Sequence, residues 1–285
     1  MKPIKTRLSI VWILTAALLY PAASAAGQDT PPTRRLRILL TNDDGFQAPG
    51  LRALADSLFR IADLTVVAPY EQQSGTGHGI SFRDPIKIYD IGNSVGIPWY
   101  AVDARPATVV RVALFSLLDS LPDLVIAGIN TGDNVGTNAW VSGTMGAARA
   151  AALWGLPAVP FSVNLDGPDP YNVSAGWARQ VVELLRDEGR IQVPLLLNVN
   201  LQGEEPLGIK VGPMSLETGI QRYDRRTSPG GQDYLWAEWY APEDDPVEGT
   251  DLYWYRRGYV TITPMSIDQT DSAAIFILEP LFNRP

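Results

Sequence analysis

The sequence contains no cysteine and a single histidine, His78, among its 285 residues. Zinc sites that combine several thiolate or imidazole ligands are therefore excluded. Disulfides are excluded as well, so the fold must be held by its apolar core, which a chain of this length can provide. Any metal site must use oxygen ligands, which Mg²⁺ and Mn²⁺ prefer.

Long apolar runs are also scarce. One run, Leu8–Leu19, follows three basic residues and precedes the small residues of Pro21–Ala25. This order predicts a secretory signal peptide at residues 1–25, because the run is shorter than the about 18 apolar residues of a membrane span. The alternative is a buried N-terminal helix. We expect a linker at 26–35 and an exported mature protein without a membrane span, either periplasmic or secreted.

Basic residues are also fewer than acidic ones, with 23 Lys and Arg against 31 Asp and Glu. Loss of the predicted signal peptide would remove three basic residues and no acidic one, which moves the formal net charge from −8 to −11. Such a chain would repel long nucleic acid rather than bind it. A small anionic substrate is still possible, provided that a metal, a helix N-terminus or a few arginines act locally.

From residue 36 onward, apolar strand-like runs alternate with helical stretches. This order predicts an α/β fold with a mostly parallel sheet between two layers of helices. The predicted strands are Leu36–Thr41, Leu64–Ala68, Trp99–Val102, Leu124–Ala127, Ala158–Val163 and Pro194–Asn198. The predicted helices are Gly50–Ile61, Pro106–Ser120, Thr144–Trp154 and Val173–Glu188.

The C-terminal part, about residues 203–285, has a different character. It combines aromatic residues with acidic, proline-rich and glycine-rich loops, and Gly258–Thr263 alternates as a strand does. We interpret it as an antiparallel extension used for subunit contact. The alternative is that its aromatic side chains bind a ligand.

The pair Asp43 and Asp44 directly follows the first predicted strand. In open α/β sheets, ligands bind at the carboxyl ends of strands. Adjacent carboxylates repel each other unless a cation lies between them, and a hard divalent cation is the usual solution. The alternative is a polar turn in which Asn42 or Asp43 caps the helix that starts near Pro49.

Three further loops are expected at the same edge. The glycine-rich segment Ala68–Gly79, here called the flap, suggests a mobile active-site loop or an ordinary flexible one. Asn130 and Asn134 lie in Gly128–Gly136, where asparagine can bind a metal or a phosphate, or only shape a turn. The segment Ser142–Met145 opens a helix, so it can hold an anion or merely cap the helix through Ser142 or Thr144.

Several ordered motifs make the chain resemble the SurE (survival protein E) family of metal-dependent 5′/3′-nucleotidases. The motifs are Arg37–Gly45, Ala48–Gly50, Val66–Pro69 with Ser74-Gly75, Gly128–Asn130 with Asn134–Gly136, Ser142–Thr144, Gly155-x-Pro157, Glu248–Asp251 and Gly258–Pro264. The resemblance implies a Rossmann-like core and homodimers or homotetramers that exchange C-terminal elements.

The resemblance also implies a site. It places one divalent cation per subunit, Mg²⁺ or Mn²⁺, on Asp43, Asp44, Ser74 and Asn130, and it places the substrate phosphate against Asn134, Ser142, Gly143 and Thr144. Asp43 and Asp44 are the candidate catalytic residues. Asp43 is expected closest to the reaction, as a general base or as a nucleophile.

Three departures from the family pattern fall near substrate recognition. Thr108 replaces an acidic residue in the segment Arg105–Val109, where Arg105 either faces the substrate or only begins a helix. His78 stands in the flap where relatives carry asparagine, so it is a candidate leaving-group acid or base-stacking residue, or a solvent-exposed side chain. Val141 replaces a tyrosine.

These features favour an exported phosphomonoesterase that hydrolyses nucleoside monophosphates. The alternative within enzymes is a broad-specificity acid phosphatase or an exopolyphosphatase. A non-catalytic binding protein would be expected to lose a metal ligand, and none is lost. A dinucleotide-dependent oxidoreductase lacks its Gly-x-Gly-x-x-Gly motif after the first strand.

Overall fold

The computed structural model describes residues 34–217, 220–240 and 245–283. The predicted signal peptide and most of the predicted linker lie outside these residues. The strands are β1 Leu36–Thr41, β2 Ala62–Pro69, β3 Ile88–Ser94, β4 Ile97–Val102, β5 Leu124–Thr131, β6 Ala158–Val163, β7 Leu197–Leu201, β8 Ile209–Val211, β9 Ile220–Thr227, β10 Asp233–Tyr240 and β11 Val260–Pro264. The helices are α1 Pro49–Leu58, α2 Pro106–Val112, α3 Asn138–Val141, α4 Gly143–Leu153, α5 Pro170–Asp187, α6 Asp251–Tyr255 and α7 Ser272–Phe282.

Nine strands form one sheet in the order β3-β4-β2-β1-β5-β6-β7-β11-β8. The pairs among β4, β2, β1, β5, β6 and β7 are all parallel. Antiparallel pairs join β3 to β4 and β11 to β7. The predicted α/β fold with a mostly parallel sheet is therefore confirmed.

Helices cover the sheet on both faces, which is why β1 is apolar along its length. Alternate residues of a strand point to opposite faces. Ile38 and Leu40 pack in the cluster that contains α1 and α5 residues, whereas Leu39 packs in the cluster that contains α2 and α4 residues. A strand buried on both faces reads as a continuous apolar run rather than an alternating one.

The strand order reverses direction next to β1. The chain moves from β1 to β2 and β4 on one side and then crosses to β5 on the other. Ligands of open α/β sheets bind at such a switch point, outside the carboxyl ends of the strands. The loops after β1, β2 and β5 follow strands that run in the same direction, so they meet at this edge.

Several predicted bounds differ from the structure. The predicted helix Pro106–Ser120 is α2 up to Val112, followed by a π-helical turn at Ala113–Leu117. β5 continues to Thr131, so Asn130 lies on a strand rather than in a loop. β3 was not predicted, because most of its residues are exposed and glycine and asparagine interrupt the pattern, as befits an edge strand.

The C-terminal extension is only partly separate. β9 and β10 form a two-stranded antiparallel sheet of their own, as predicted. β11, by contrast, inserts into the main sheet between β7 and β8. α7 was not predicted, and it buries none of its residues. Within the described part of the chain, we find no helix with the length and apolar character needed to span a bilayer.

Candidate metal and phosphate site

A cleft of about 230 Å³ opens at the carboxyl edge of the sheet, at the switch point beside β1. It brings together five of the residues that the sequence predicts for the site, although they come from four separate segments. Its lining comprises Asp43, Ser74, Gly75, Asn130, Thr131, Gly132, Asp133, Asn134, Asn138, Val141 and Ser142.

Asp43 is buried at the end of β1, with 2% of its surface exposed. The Thr144 hydroxyl donates a hydrogen bond to Asp43 Oδ1, and the Thr144 backbone N–H also donates to this carboxylate. Burial raises the pKa of Asp43 to about 6; the bonds from Thr144 lower it in part, and the charge of Asp44 raises it further. A nearby cation would relieve the burial of this charge.

Gly143 lies directly against the same carboxylate. A methyl group at Gly143 would stand 2.7 Å from Asp43 Oδ2 and 3.0 Å from the Gln73 carbonyl oxygen. Only glycine lets the first residue of α4 approach Asp43 this closely. Gly143 and Thr144 thus both lie against the Asp43 carboxylate, a role that the sequence did not predict, and their predicted contact with phosphate stays a prediction.

Asp44 faces the end of β5. Its Oδ2 accepts a hydrogen bond of 3.0 Å from the Thr131 backbone N–H. Burial raises the pKa of Asp44, and hydrogen bonds from Thr131 and Gln72 lower it. The alternative in which Asn42 or Asp43 caps α1 is wrong, because Ala48 is the N-cap residue of that helix and the Asp43 carboxylate accepts from Thr144. Asn42 instead donates to the Gly45 carbonyl at 2.8 Å.

The flap is tied to the site at two points. The Gln73 N–H donates to the Asp43 carbonyl at 2.6 Å, and the Gly77 N–H donates to the Val141 carbonyl at 2.9 Å. Ser74 follows Gln73, is exposed, and lines the same cleft as Asp43. The predicted mobility of the flap stays a prediction.

The donor set fits a hard divalent cation. Asn130 Nδ2 donates to the Gly132 carbonyl at 2.6 Å, which leaves the Asn130 amide oxygen as the free acceptor. The Asp43 carboxylate, the Ser74 hydroxyl and this amide oxygen line the cleft, whereas Asp44 is outside its lining and adjoins it next to Asp43. Carboxylate, hydroxyl and amide oxygens are ligands of the kind that Mg²⁺ and Mn²⁺ prefer. Among the residues that the structure describes, no cluster of three or more Asp, Glu, His or Cys side chains offers an alternative.

Asn134 and Ser142 line the cleft from the other side. Asn134 is fixed by its backbone N–H, which donates to Asn200 Oδ1 at 2.7 Å, and by its Nδ2, which donates to Ser162 Oγ at 2.7 Å. Ser142 Oγ accepts from the Met145 N–H at 3.1 Å and so caps α4, as one of the alternatives predicted. The N-terminal turn of α4 therefore borders the cleft, and its positive end favours an anion there.

The two candidate specificity residues do not join the cleft. His78 is half-buried, and burial, followed by the charges of Arg149 and Arg111, lowers its pKa. Arg105 lines a second cavity together with Gln73. Arg105 therefore lies beside the flap, whereas His78 is not among the described residues that line the cleft.

Asp133 and Asn138 line the cleft but were not among the predicted site residues. Asp133 lies inside the predicted segment Gly128–Gly136, so its carboxylate could have been predicted as a further residue of the site. The loop is held by Asp251, whose Oδ2 accepts from the Gly136 N–H at 2.8 Å and whose Oδ1 accepts from the Ser215 N–H at 2.7 Å. The motif Glu248–Asp251 thus supports the site from the C-terminal extension.

The fold and the site define an α/β protein with an oxygen-lined cleft at the carboxyl edge of a parallel sheet. Residues 38–220 match the family described as Survival protein SurE. The chain therefore belongs to the SurE family.

Relatives with named functions and one relative with a solved structure agree with this assignment. The chain is 40% identical to the 5′-nucleotidase SurE of Rhodopirellula baltica over 82% of its length and 94% of that protein. It is 37% identical to the 5′-nucleotidase SurE 1 of Thermus thermophilus over 82% of its length and 93% of that protein. It is also similar to the crystal structure of the SurE protein from Aquifex aeolicus, with a TM-score of 0.74, 30% identity, and coverage of 86% of this chain and 99% of that one.

Proposed function

We propose that this chain is a divalent-metal-dependent phosphomonoesterase that hydrolyses nucleoside 5′- and 3′-monophosphates to nucleoside and phosphate. The observation that carries the proposal is the cleft in which Asp43, Ser74 and Asn130 meet the N-terminal end of α4. Relatives of 37–40% identity that bear the name 5′-nucleotidase SurE support the choice of a nucleotide as substrate.

The proposal assigns one cation per subunit to Asp43, Asp44, Ser74 and Asn130. A bound Mg²⁺ or Mn²⁺ would polarise the phosphoryl oxygens and offset the negative charge of the two carboxylates. Inorganic Mn²⁺ and Mg²⁺ titrated separately into the protein would identify the preferred metal and the number bound.

The other roles, phosphate binding and attack on phosphorus, fall to side chains and the helix end at the cleft. Asn134 and the N-terminal end of α4 hold the phosphate, whose negative charge suits the positive end of a helix. Asp43, fixed by Thr144, is placed to receive the proton of an attacking water or to attack the phosphorus itself. With water as the nucleophile, the new P–O bond forms as the ester P–O bond breaks, and the proton taken by Asp43 passes to the leaving nucleoside oxygen. With Asp43 as the nucleophile, an acyl phosphate forms as the ester P–O bond breaks, the nucleoside oxygen takes a proton from water, and a water molecule then hydrolyses the acyl phosphate to release phosphate and free Asp43.

The test is phosphate release from 5′-AMP, 3′-AMP and p-nitrophenyl phosphate, with Mn²⁺ or Mg²⁺ and again with EDTA. We expect metal-dependent release that favours a nucleotide. Turnover of the artificial ester alone would replace the proposal with a general phosphatase. No release with either metal would overturn it.

We also propose that the chain forms a homodimer or homotetramer through its C-terminal elements. α7 exposes six large apolar side chains, those of Ile275, Phe276, Ile277, Leu278, Leu281 and Phe282. Patches of this kind mark interaction sites on soluble proteins.

Export is proposed from the sequence of residues 1–25 alone. N-terminal sequencing of the protein recovered outside the cytoplasm would test it. A mature N-terminus at Ala26 or Gly27 is expected, and an intact N-terminus would contradict it.

A further inference from the structure

A second cavity, of about 490 Å³, adjoins the cleft along the flap. Gln73 lines this side cavity, whereas its neighbour Ser74 lines the cleft. Neighbouring residues of the flap, with Cα atoms about 3.8 Å apart, therefore form part of both linings. The lining of the side cavity comprises Gln73, Ile80, Ser81, Phe82, Arg83, Asp84, Pro85, Ile86, Asp103, Ala104 and Arg105.

The walls of the side cavity are joined by specific contacts. The Ser81 N–H donates to Thr108 Oγ1 at 2.8 Å, and the Arg105 N–H donates to Ser81 Oγ at 3.1 Å. A methyl group at Gly79 would stand 2.8 Å from Arg105 Nη1. The Arg105 side chain therefore packs against the end of the flap. Arg105 thus lines the cavity, and Thr108, a position at which the chain departs from its family pattern, holds the lining residue Ser81 in place.

The lining offers an aromatic surface. Phe82 has 73% of its surface exposed, and the Arg83 guanidinium carbon lies 6.0 Å from the centre of its ring. Aromatic side chains that remain exposed beside a cavity can stack on a nucleobase, because every base has a π-face. The volume is in the range of small-molecule sites, about 300–1,000 Å³.

The charges of the lining favour a neutral group over a further phosphate. Arg83 and Arg105 supply two positive charges, and Asp84 and Asp103 supply two negative ones. Carboxylates accept hydrogen bonds from hydroxyl and amino groups, and guanidinium groups donate to ring nitrogens and carbonyls. A polyphosphate would meet two carboxylates here, whereas a ribose and a base would find partners of both kinds.

We propose that the side cavity binds the nucleoside part of the substrate, with the base against Phe82, while the phosphate lies in the cleft. This inference rests on the proposed function and adds the part of the protein that distinguishes a nucleotide from another phosphate ester. It makes Phe82, Asp103 and Arg105 specificity residues without a role in breaking the P–O bond.

The experiment compares 5′-AMP with ribose 5-phosphate, which carries the same reacting phosphate but no base. In Phe82→Ala we expect kcat/KM for 5′-AMP to fall about ten-fold, in the range of lost base stacking, and kcat/KM for ribose 5-phosphate to stay unchanged. Phe82→Tyr should restore the preference. Phe115→Ala, which removes another exposed phenylalanine far along the chain on the π-helical turn, should change neither value.

A binding measurement separates this inference from the proposed function. Adenosine has no phosphate, so its binding to the metal-free protein, measured by calorimetry, depends on the side cavity alone. Adenosine binding that is lost in Phe82→Ala supports the inference even if wild-type protein hydrolyses nothing. Hydrolysis of 5′-AMP and ribose 5-phosphate with equal kcat/KM, or equal losses on both substrates in Phe82→Ala, would overturn the inference while leaving the phosphatase intact. Failure of adenosine to bind wild-type protein would also overturn it.

Discussion

The hydroxyl of Thr144 donates to the carboxylate of Asp43 across 101 positions of sequence. The bond joins the end of β1 to the first turn of α4, and both residues are almost fully buried. A carboxylate held in this way keeps one orientation, which a phosphoryl-transfer site requires because most of its catalytic effect comes from positioning and charge.

The Thr144 hydroxyl can be removed without changing the shape of the side chain. In Thr144→Val we expect kcat to fall about ten- to hundred-fold, since Asp43 loses a partner in a buried site where such a loss costs roughly 1–3 kcal/mol. Binding of Mn²⁺ should weaken as well. Thr144→Ser keeps the donor and should retain most of the activity. Full activity in Thr144→Val, or an equal loss in Thr144→Ser, would contradict the role of the hydrogen bond.

Gly143 tests the close approach to Asp43. In Gly143→Ala the new methyl group would stand 2.7 Å from Asp43 Oδ2, so the carboxylate must move. We expect activity to fall about hundred-fold, the scale of a misplacement of about 1 Å, with the fold retained by circular dichroism. The matched control is Gly176→Ala in α5, where the added methyl group meets nothing within 4 Å. It should leave activity unchanged and raise the free energy of unfolding by about 0.5–1 kcal/mol.

The raised pKa of Asp43 predicts a pH dependence of stability in the metal-free protein. Its pKa moves from 3.8 to about 6 on folding, so the folded state binds the proton more tightly than the unfolded state. The resulting stabilisation is present below the unfolded pKa and is lost as the pH rises through about 6. At about 1.4 kcal/mol per pH unit, the loss between pH 4 and 7 amounts to at most about 3 kcal/mol.

Asp43→Asn isolates this contribution, because asparagine does not titrate. Urea unfolding in EDTA at several pH values should show the variant gaining stability relative to wild type between pH 4 and 7. Parallel stability curves for the two proteins would contradict the assigned pKa.

The exposed apolar surface of α7 predicts the oligomeric state. Ile277→Asp places a charge in the middle of the patch that Phe276 and Leu278 continue. We expect it to lower the molecular mass seen by sedimentation velocity. Val95→Asp introduces the same charge at another exposed apolar residue, on the turn between β3 and β4, and should leave the mass unchanged. A wild-type protein that sediments as a monomer would contradict the proposed assembly.

Most of the sheet could be predicted from the sequence because buried parallel strands leave continuous apolar runs, as Leu36–Thr41 does. The same runs also predicted the location of the site, because ligands of such sheets bind at the carboxyl ends of the strands. The bond between Thr144 and Asp43 could not be predicted, because no local rule relates residues that meet only when α4 packs beside β1. β11 was predicted as a strand, but its insertion between β7 and β8 depends on pairing partners that its own sequence does not specify.

The sequence predicted which residues form the candidate site better than it predicted what each of them contacts. Asp43, Ser74, Asn130, Asn134 and Ser142 do meet in one cleft. Gly143 and Thr144, however, lie against Asp43 itself, and the loop that carries Asp133 is bonded at Gly136 to Asp251 of the C-terminal extension. Such support comes from contacts between distant segments, which the motifs alone do not reveal.

Asp43→Asn tests most directly whether the Asp43 cleft hydrolyses phosphate esters. The measurement is the rate of phosphate release from 5′-AMP at saturating Mn²⁺, for wild type and for the variant, with both shown to be folded. We expect metal-dependent turnover by wild type and a variant rate below about a tenth of it, because loss of a charged group at such a site costs several kcal/mol. A variant that keeps more than that fraction of the wild-type rate would contradict the account.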